Sequence, residues 1–313
     1  INIKGEIKMP EKTKPTREEV LSYLKNRRNW GRWKENGSAG AINLITPDKR
    51  LAALKMPTKG RSISLSRPWN VDPSFENQRP AQQYMTQTSR DPDGGIAMDY
   101  YGIFYHGQAT THLVALCHMW DEDGMWDGKN PDEIVTYSGA KYGSVDAWRE
   151  GILTRGVLLD IPKLRGEPYV TRENPVHGWE LEDAAKNEGI TLEPGDAILV
   201  YSGREAYARD PDGMWMESDG RAGLHASCLP FVRDNDVSIL LWDMMDAAPN
   251  EYDVPFTMHA VLYCYGVALV DNTLLEPSSK VCQEEGTYSF LLTINPLFVV
   301  GGTGSPVNPI AVF

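Results

Sequence analysis

Between residues 140 and 294 the chain alternates helix-like segments with short apolar runs, and this alternation limits the possible folds most. The helix-like segments are SVDAWREGILTR, WELEDAAKNEG, GLHASCLPFVRDND, FTMHAVLYCYG and PSSKVCQEEG. The apolar runs are GVLLDIP, AILVYSG, VSILLWDM, VALVDN and YSFLLTI. Short runs rich in β-branched residues, separated by helices, are typical of strands in a sheet that helices cover. The alternation therefore predicts an α/β domain.

The first half of the chain supplies boundaries for this domain. Residues 1–15 are polar, and we expect them to form a loosely attached arm before a single domain at 16–313. Thr16, followed three residues later by Glu19, predicts a capping box at a helix start. Thr46 before Pro47 predicts a second helix start. The segment RSISLSRPW predicts a strand that ends at Pro68.

Charge and cysteine content narrow the function classes. A net charge of −12 argues against nucleic acid or an anionic membrane as the partner. No apolar run approaches the roughly 18–20 residues that cross a bilayer. The four cysteines form no CxxC pair, which predicts buried free thiols in a reducing compartment. We expect a cytoplasmic protein whose partner is a small molecule.

Histidine is scarce, with six in the whole chain, and three of the six lie in YHGQATTHLVALCHMWDEDG. His106, His112 and His118 are spaced by six, an even number, so in an extended segment all three point to one side. Three imidazoles on one face are a possible zinc triad. The same residues also fit a wet cleft without metal, and LVALCHMW could instead begin a helix. Spacing alone favours the metal-free interpretation.

Further polar residues stand near predicted strands. His225 and His259 each lie near the start of a helix-like run before a strand, where a lone histidine is usually structural, and His177 is interpreted as a loop residue. Asp271 ends the apolar run VALVD, and sites in α/β proteins gather at strand ends. Arg204 follows another strand and is interpreted either as a substrate anchor or as a surface ion pair.

The chain as a whole resembles the cyclase family related to bacterial kynurenine formamidase. The resemblance runs from WGRWKENGSAGAINLITPDKRLAAL through ISLSRPWN, THLVALCH, GDAILVYSGR and FTMHAVLYCYGVALVDN to GGTGSPVNPIAVF, roughly residues 30 to 313. It implies an α/β fold with a central barrel-like mixed β layer flanked by helices. It also implies metal-dependent hydrolysis of an amide, lactone or cyclic imide, in a homodimer or homotetramer.

The family motif H-x-G-T-H-x-D-x-x-x-H can be compared with the chain position by position. Its second and last histidines become His112 and His118, and the distant pair that completes the site becomes His259 and Asp271. Its first histidine falls on Gln108, although His106 stands two residues earlier.

The motif acid falls on Val114, and a glutamate expected after GLHA is replaced by Ser227. Valine has no lone pair, and neutral imidazoles alone offset little of the hydration that a buried dication loses. A two-metal site is therefore not expected, and no cofactor is predicted. A single zinc or manganese on His106, His112 and His118 remains the alternative.

Without a metal there is no metal-bound hydroxide for hydrolysis. The sequence then predicts cyclisation, isomerisation or elimination of a small organic metabolite by acid–base catalysis. In this hypothesis His259, oriented by Asp271, is the base, and His112 and His118 donate hydrogen bonds to an oxyanion. The alternatives are a single-metal hydrolase and an inactive binding protein. The residues predicted to bind substrate are His106, Gln108, Thr110, Arg204 and His225.

Overall fold

A computed structural model describes residues 12–313 of the 313-residue chain. Most of the predicted N-terminal arm, residues 1–11, lies outside the described residues. The part that is described contacts the domain: Lys12 Nζ lies 2.6 Å from Asp183 Oδ2, and Lys14 Nζ lies 3.0 Å from Glu251 Oε1.

The helices are short and spread along the chain. In order they are α1 (Arg17–Leu21), α2 (Pro47–Leu54), α3 (Pro131–Ile134), α4 (Ile161–Arg165), α5 (Gly178–Asn187), α6 (Arg204–Arg209), α7 (Leu229–Asp234), α8 (Val261–Tyr265) and α9 (Glu276–Glu285). A π-helix spans Ser22–Asn26, and 3-10 helices span Gly37–Leu44, Trp126–Gly128, Val145–Trp148 and Ala226–Cys228. Both predicted helix starts are confirmed, because Thr16 accepts from the Glu19 N–H and Thr46 from the Lys49 N–H.

The strands range from two to ten residues in length. They are β1 (Ser62–Ser64), β2 (Gln82–Asp91), β3 (Gly94–Gly102), β4 (His112–Val114), β5 (Val135–Thr136), β6 (Gly139–Ala140), β7 (Ile152–Asp160), β8 (Ala197–Tyr201), β9 (Met216–Glu217), β10 (Gly220–Arg221), β11 (Ile239–Trp242), β12 (Ala268–Asp271), β13 (Ser289–Ile294), β14 (Gly304–Pro306) and β15 (Ile310–Val312). Strands β2 and β3 form a hairpin ribbon of their own, separate from the main sheet.

Nine strands form the main sheet, in the order β1-β15-β13-β7-β8-β11-β12-β4-β14. Strands β7, β8, β11 and β12 are parallel to one another, and the strands on both sides pair antiparallel. The sheet curls into a half-barrel flanked by helices. The predicted fold class, an α/β fold with a barrel-like mixed β layer, is confirmed.

The centre of the sheet is buried on both faces. Every residue of β8, β11 and β12 is buried, as expected for parallel strands covered by helices. All four cysteines are free and buried, as predicted. Within residues 12–313, none of the helices combines the length and apolar character that a membrane crossing requires.

Two local predictions were wrong. The segment SVDAWREGILTR contains only a 3-10 helix, Val145–Trp148, and its last four residues begin strand β7. Gly151 lies at φ 79°, which ends the helical path before the β-branched Ile152. The predicted strand RSISLSRPW is likewise reduced to the three residues of β1, at one edge of the sheet.

Candidate active site

The carboxyl edge of the parallel strands brings Asp271 and His112 together. Strand β12 ends at Asp271, and the antiparallel strand β4 begins at His112, its partner in the ladder. His112 Nε2 lies 3.6 Å from Asp271 Oδ2. The indole N–H of Trp242, at the end of β11, donates to Asp271 Oδ1 at 2.5 Å. Three strands therefore fix the position of this buried carboxylate.

His259 lies between two buried carboxylates. Its Nε2 is 3.4 Å from Asp271 Oδ2, and its Nδ1 is 3.1 Å from Asp246 Oδ1. Burial by itself lowers the pKa of His259, but the Asp246 and Asp271 charges outweigh it and raise that pKa to about 10. The same pairing holds the pKa of Asp246, despite its burial, at about 2 and that of Asp271 well below its usual range. His259 is therefore an imidazolium at neutral pH.

His112 is neutral, and its tautomer is fixed. Its Nδ1 lies 2.8 Å from the Thr110 carbonyl oxygen, which only accepts, so Nδ1 carries the proton. The Nε2 lone pair then faces the centre of the cluster. Complete burial lowers the pKa of His112, although the Asp271 charge opposes that shift.

The other two histidines of the motif are also brought into the cluster. The His106 and His118 rings stack at 3.8 Å with 6° between their planes, and the His106 ring meets His112 edge-on at 5.0 Å. An extended chain would place residues 106 and 118 about 40 Å apart. The structure therefore brings the three rings together, although the segment between residues 106 and 118 is not extended. The chain turns directly after β4, and this turn returns His118 to the cluster.

The environment of His106 and His118 keeps both rings neutral. Burial lowers the pKa of His106 to about 2, with a smaller contribution from His118, and burial followed by His259 lowers the pKa of His118 to about 4. His106 Nε2 contacts Thr303 Oγ1 at 3.1 Å. Within the described part of the chain its buried Nδ1 has no hydrogen-bond partner.

Arg204 supports the site from the inside. It is buried, and its guanidinium donates to Asn272 Oδ1 at 2.8 Å, Glu76 Oε2 at 2.6 Å and the Gln108 carbonyl at 2.6 Å. The guanidinium also lies over the Trp215 ring. These contacts hold the loop around residue 108 against the ends of the strands. The surface ion pair considered for Arg204 is wrong, because the side chain is almost fully enclosed.

A cavity of about 260 Å³ opens beside the cluster. Three of the predicted substrate-binding residues, His106, Gln108 and Thr110, line it. The other lining residues are Glu76, Asn77, Gln78, Arg79, Phe104, Tyr105, Gly107 and Ala109. This cavity has the size of a small metabolite.

His225 belongs to a different cluster. Its ring contacts His177 at 4.5 Å, Ser227 Oγ at 2.9 Å and Glu251 Oε1 at 3.3 Å. The sequence suggested that His177 is a loop residue. It is instead buried at the start of α5, where its ring stacks on Trp179. The protein thus contains two histidine clusters.

The donor set of the first cluster does not fit the metal that the resemblance implies. Coordinating lone pairs lie in the plane of an imidazole, and the parallel rings of His106 and His118 direct theirs along separate planes. Each ring nitrogen of His259 faces a carboxylate, and these charges raise the pKa of His259, which opposes coordination. Val114, two residues from His112 on β4, presents methyl groups on the same face of the sheet. Across residues 12–313, no three His, Cys, Asp or Glu side chains are grouped to hold an ion.

A buried histidine–carboxylate cluster at the carboxyl edge of a covered sheet, beside a small cavity, is the arrangement of an α/β enzyme. The sequence profile of the family described as "Putative cyclase" matches residues 63–249, more than half of the chain. The protein belongs to this family. A search of curated proteins found no match.

Solved structures share the fold. A crystal structure described as a novel cyclase is 26% identical, with a TM-score of 0.80, and the match covers 91% of this chain and 99% of that one. Isatin hydrolase A from Labrenzia aggregata, bound to benzyl benzoate, is 16% identical with a TM-score of 0.57 over 80% of this chain and 93% of that one. Isatin hydrolase A from Ralstonia solanacearum is 14% identical with a TM-score of 0.58 over 81% and 92%.

Sequence reasoning missed Asp246 and Arg221. Asp246 lies four residues after β11, and Arg221 Nη2 donates to its Oδ1 at 2.6 Å. The signal that singled out Asp271, a carboxylate just beyond an apolar strand, was also present in SILLWDMMD.

Proposed function

We propose that this protein catalyses cyclisation, isomerisation or elimination of a small organic metabolite by acid–base chemistry between His112 and His259, without a metal ion. The observation that carries the proposal is the placement of two imidazoles around a single carboxylate oxygen, with the pKa of His259 raised and that of His112 lowered. Asp271 Oδ2 lies 3.4 Å from His259 Nε2 and 3.6 Å from His112 Nε2. An acid and a base held this close together suit proton transfer within one substrate.

The two imidazoles take roles opposite to those that the sequence suggested. His259 is already protonated at neutral pH, so it cannot act as the base. Its contact with Asp271 at 3.4 Å is long for a charge-assisted hydrogen bond, and a substrate oxygen can compete for this proton. We assign His259 to protonate or stabilise a developing oxyanion.

His112 supplies the base. The Thr110 carbonyl holds the proton on Nδ1, which leaves the Nε2 lone pair toward the cluster. A neutral imidazole in this tautomer accepts a proton from substrate carbon or oxygen, and Asp271 stabilises the imidazolium that forms. Asp246 and Trp242 act as positioning residues, because they contact His259 and Asp271 rather than the cavity.

Substrate enters, in this proposal, through the cavity next to His106. The ring of His106 is one wall of that cavity and packs edge-on against His112. Gln108 and Thr110 line the same cavity. Arg79, at the mouth, favours a substrate with an anionic group.

A second candidate, a single-metal hydrolase of an amide, lactone or cyclic imide, is favoured by the likeness to isatin hydrolases. The two candidates predict different mass changes. Cyclisation and isomerisation by proton transfer leave the substrate mass unchanged, elimination of water lowers it by the mass of water, and hydrolysis raises it by the same amount.

The test incubates chelator-treated protein with a small-molecule extract and follows masses by chromatography. We expect wild type and the surface control Glu150→Gln to convert at least one compound without a rise of one water mass. His259→Gln and Asp271→Asn should lose this conversion by at least 100-fold. A conversion that adds water, requires zinc or manganese and accompanies near-stoichiometric metal would overturn the proposal in favour of the hydrolase.

The substitution Val114→Asp tests the same question from the other side. It restores the carboxylate that the family motif has at this position. If the ancestral scaffold is intact, the variant should bind zinc or manganese in elemental analysis and gain amidase or lactonase activity that wild type lacks. Stoichiometric metal in wild type itself would contradict the proposed chemistry.

A further inference from the structure

The second histidine cluster has the geometry of a catalytic triad. Ser227 Oγ lies 2.9 Å from His225 Nδ1, and His225 Nε2 lies 3.3 Å from Glu251 Oε1. The serine therefore contacts the histidine and the histidine contacts the carboxylate, which is the arrangement that activates a serine nucleophile. We propose that Ser227, His225 and Glu251 form a second active site that transfers acyl groups from small carboxylic esters, independent of the His112–His259 chemistry.

The tautomer of His225 is the one that a general base needs. The Ser227 backbone N–H donates to His225 Nδ1 at 3.0 Å, so Nδ1 carries a lone pair and the proton resides on Nε2. That Nε2 proton faces Glu251, with the Tyr252 hydroxyl also near at 3.4 Å. Glu251 is ionised, because its own backbone N–H, Lys14 and His225 outweigh burial and lower its pKa to about 2.

His225 also caps the short helix at Ala226–Cys228, and this role explains the Nδ1 contact with the Ser227 N–H. It does not explain why a carboxylate faces Nε2. The Ser227 hydroxyl also contacts His177 Nδ1 at 3.1 Å. Burial keeps the imidazole neutral by lowering its pKa, with Glu251 opposing that shift. A neutral imidazole held between an alcohol and a carboxylate can accept a proton.

Ser227 itself is only partly buried and lines a cavity of about 380 Å³. Val20, Tyr23 and Trp179 contribute apolar surface to that cavity, and Lys14 lies at its edge. The Gly178 N–H donates to Ser227 Oγ at 3.1 Å, which stabilises negative charge on that oxygen. The volume and the aromatic walls suit an ester with a short aliphatic or aromatic acyl group.

The reaction balances with water as the only co-reactant. Ser227 Oγ forms a bond to the ester carbonyl carbon, and the carbonyl electron pair moves to oxygen. The hydrogen bond from the Ser227 N–H to His225 Nδ1 breaks, and the lone pair of Nδ1 takes the hydroxyl proton. As this intermediate collapses, the bond from carbon to the alcohol oxygen breaks and His225 returns the proton to the alcohol. Water then attacks the acyl-serine in the same way and releases the acid.

An alkyl fluorophosphonate tests the site directly, because an activated serine displaces fluoride and keeps the phosphonyl group. We expect peptide mass spectrometry of the full chain to find the adduct on Ser227, and to find none there in Ser227→Ala. Labelling should slow at least tenfold in His225→Asn, which retains a capping side chain, and severalfold in Glu251→Gln. Glu182→Gln, which changes a carboxylate on the same cavity, should label like wild type.

Two results would overturn the proposal. One is folded wild-type protein that carries no Ser227 adduct under conditions that fully label a known serine esterase. The other is an adduct that forms at the wild-type rate in both His225→Asn and Glu251→Gln, since the serine would then react without its partners. Thermal melts of each variant establish that the protein is folded. A second readout is the hydrolysis of p-nitrophenyl acetate, which we expect of wild type but not of Ser227→Ala.

Discussion

The two histidine clusters contain the same kinds of residue and reach opposite charge states. His259 lies between two buried carboxylates and is protonated at neutral pH, whereas His225 faces one partly exposed carboxylate and stays neutral. Both rings are themselves buried. The difference shows that the number and burial of the neighbouring carboxylates decide whether a buried imidazole is an acid or a base.

The comparison also explains how the scaffold accommodates the missing motif acid. In the first cluster Asp246 supplies a carboxylate, as Val114 does not, but its Oδ1 contacts His259 and Arg221. Two carboxylates neutralised by an imidazolium and a guanidinium form a stable buried set.

The largest expected effect is the removal of Asp271, which breaks the buried pair of the first cluster. Asp271→Asn should lower the free energy of unfolding by about 3–5 kcal/mol, because His259 stays charged but loses one of its two neighbouring carboxylates. Trp242 retains an acceptor on the new amide. Glu251→Gln, the matching change in the second cluster, should cost less than about 1 kcal/mol, since that carboxylate is partly exposed. Urea unfolding at pH 7 measures both, and equal losses would refute the distinction.

The pH dependence of stability follows from the charge of His259. A group whose pKa is raised on folding stabilises fully below its unfolded pKa, near 6.5, and this stabilisation disappears as the pH rises through about 10. The difference in unfolding free energy between wild type and His259→Gln should therefore shrink by about 4 kcal/mol between pH 6.5 and 10. Urea titrations across this range measure it, and a constant difference would contradict the raised pKa.

Nuclear magnetic resonance can count the charged rings directly. Of the six histidines, His259 alone has a raised pKa, and burial lowers the pKa of the other five. Long-range nitrogen–proton spectra at pH 7.5 should show one imidazolium and five neutral rings. The imidazolium signal should disappear in His259→Gln, and an imidazolium that remains in this variant would show that the charge was assigned to the wrong ring.

A smaller effect is expected from the outer partner of each cluster. Arg221→Gln removes two hydrogen bonds from Asp246, one to its carboxylate and one to its carbonyl, and should cost about 1–3 kcal/mol. Lys14→Gln removes an exposed ion pair from Glu251 and should cost at most about 0.5 kcal/mol. Thermal or urea unfolding compares the two variants, and a larger loss from Lys14→Gln would reverse the ranking of the clusters.

A small effect is also expected from His225→Asn. Asparagine is a preferred capping residue, so the helix start at Ala226 keeps an acceptor and the free energy of unfolding should fall by no more than about 1 kcal/mol. A loss as large as that of Asp271→Asn would show that His225 is chiefly structural.

The sequence predicted most of the parallel core and less of its edges. Apolar runs such as those of β8 and β12 are buried on both faces, so hydrophobic pattern alone identifies them. Strand β7 was partly misassigned, because Ile152 to Arg155 fit a helix as well as a strand until Gly151 ends the helix. The Gly- and Pro-rich C-terminal segment forms strands β14 and β15 of the sheet.

The residues of the candidate site were likewise predicted only in part. The family motif assigned His112, His118, His259 and Asp271 to one place, and the structure brings them together. Asp246 was missed because it lies in a loop, where only its position after β11 distinguishes it. His225 was assigned to the wrong neighbours, because no local pattern reveals that Glu251 faces its ring.

By itself the sequence determined the α/β class, the membership of the family and the valine at a position that the motif reserves for an acid. These follow from local pattern and from residue identity. Tertiary structure alone decided the charge of each histidine and the partner of each nitrogen. The physical reason is that a pKa depends on burial and on charges a few ångströms away, and those neighbours come from segments far apart in the chain.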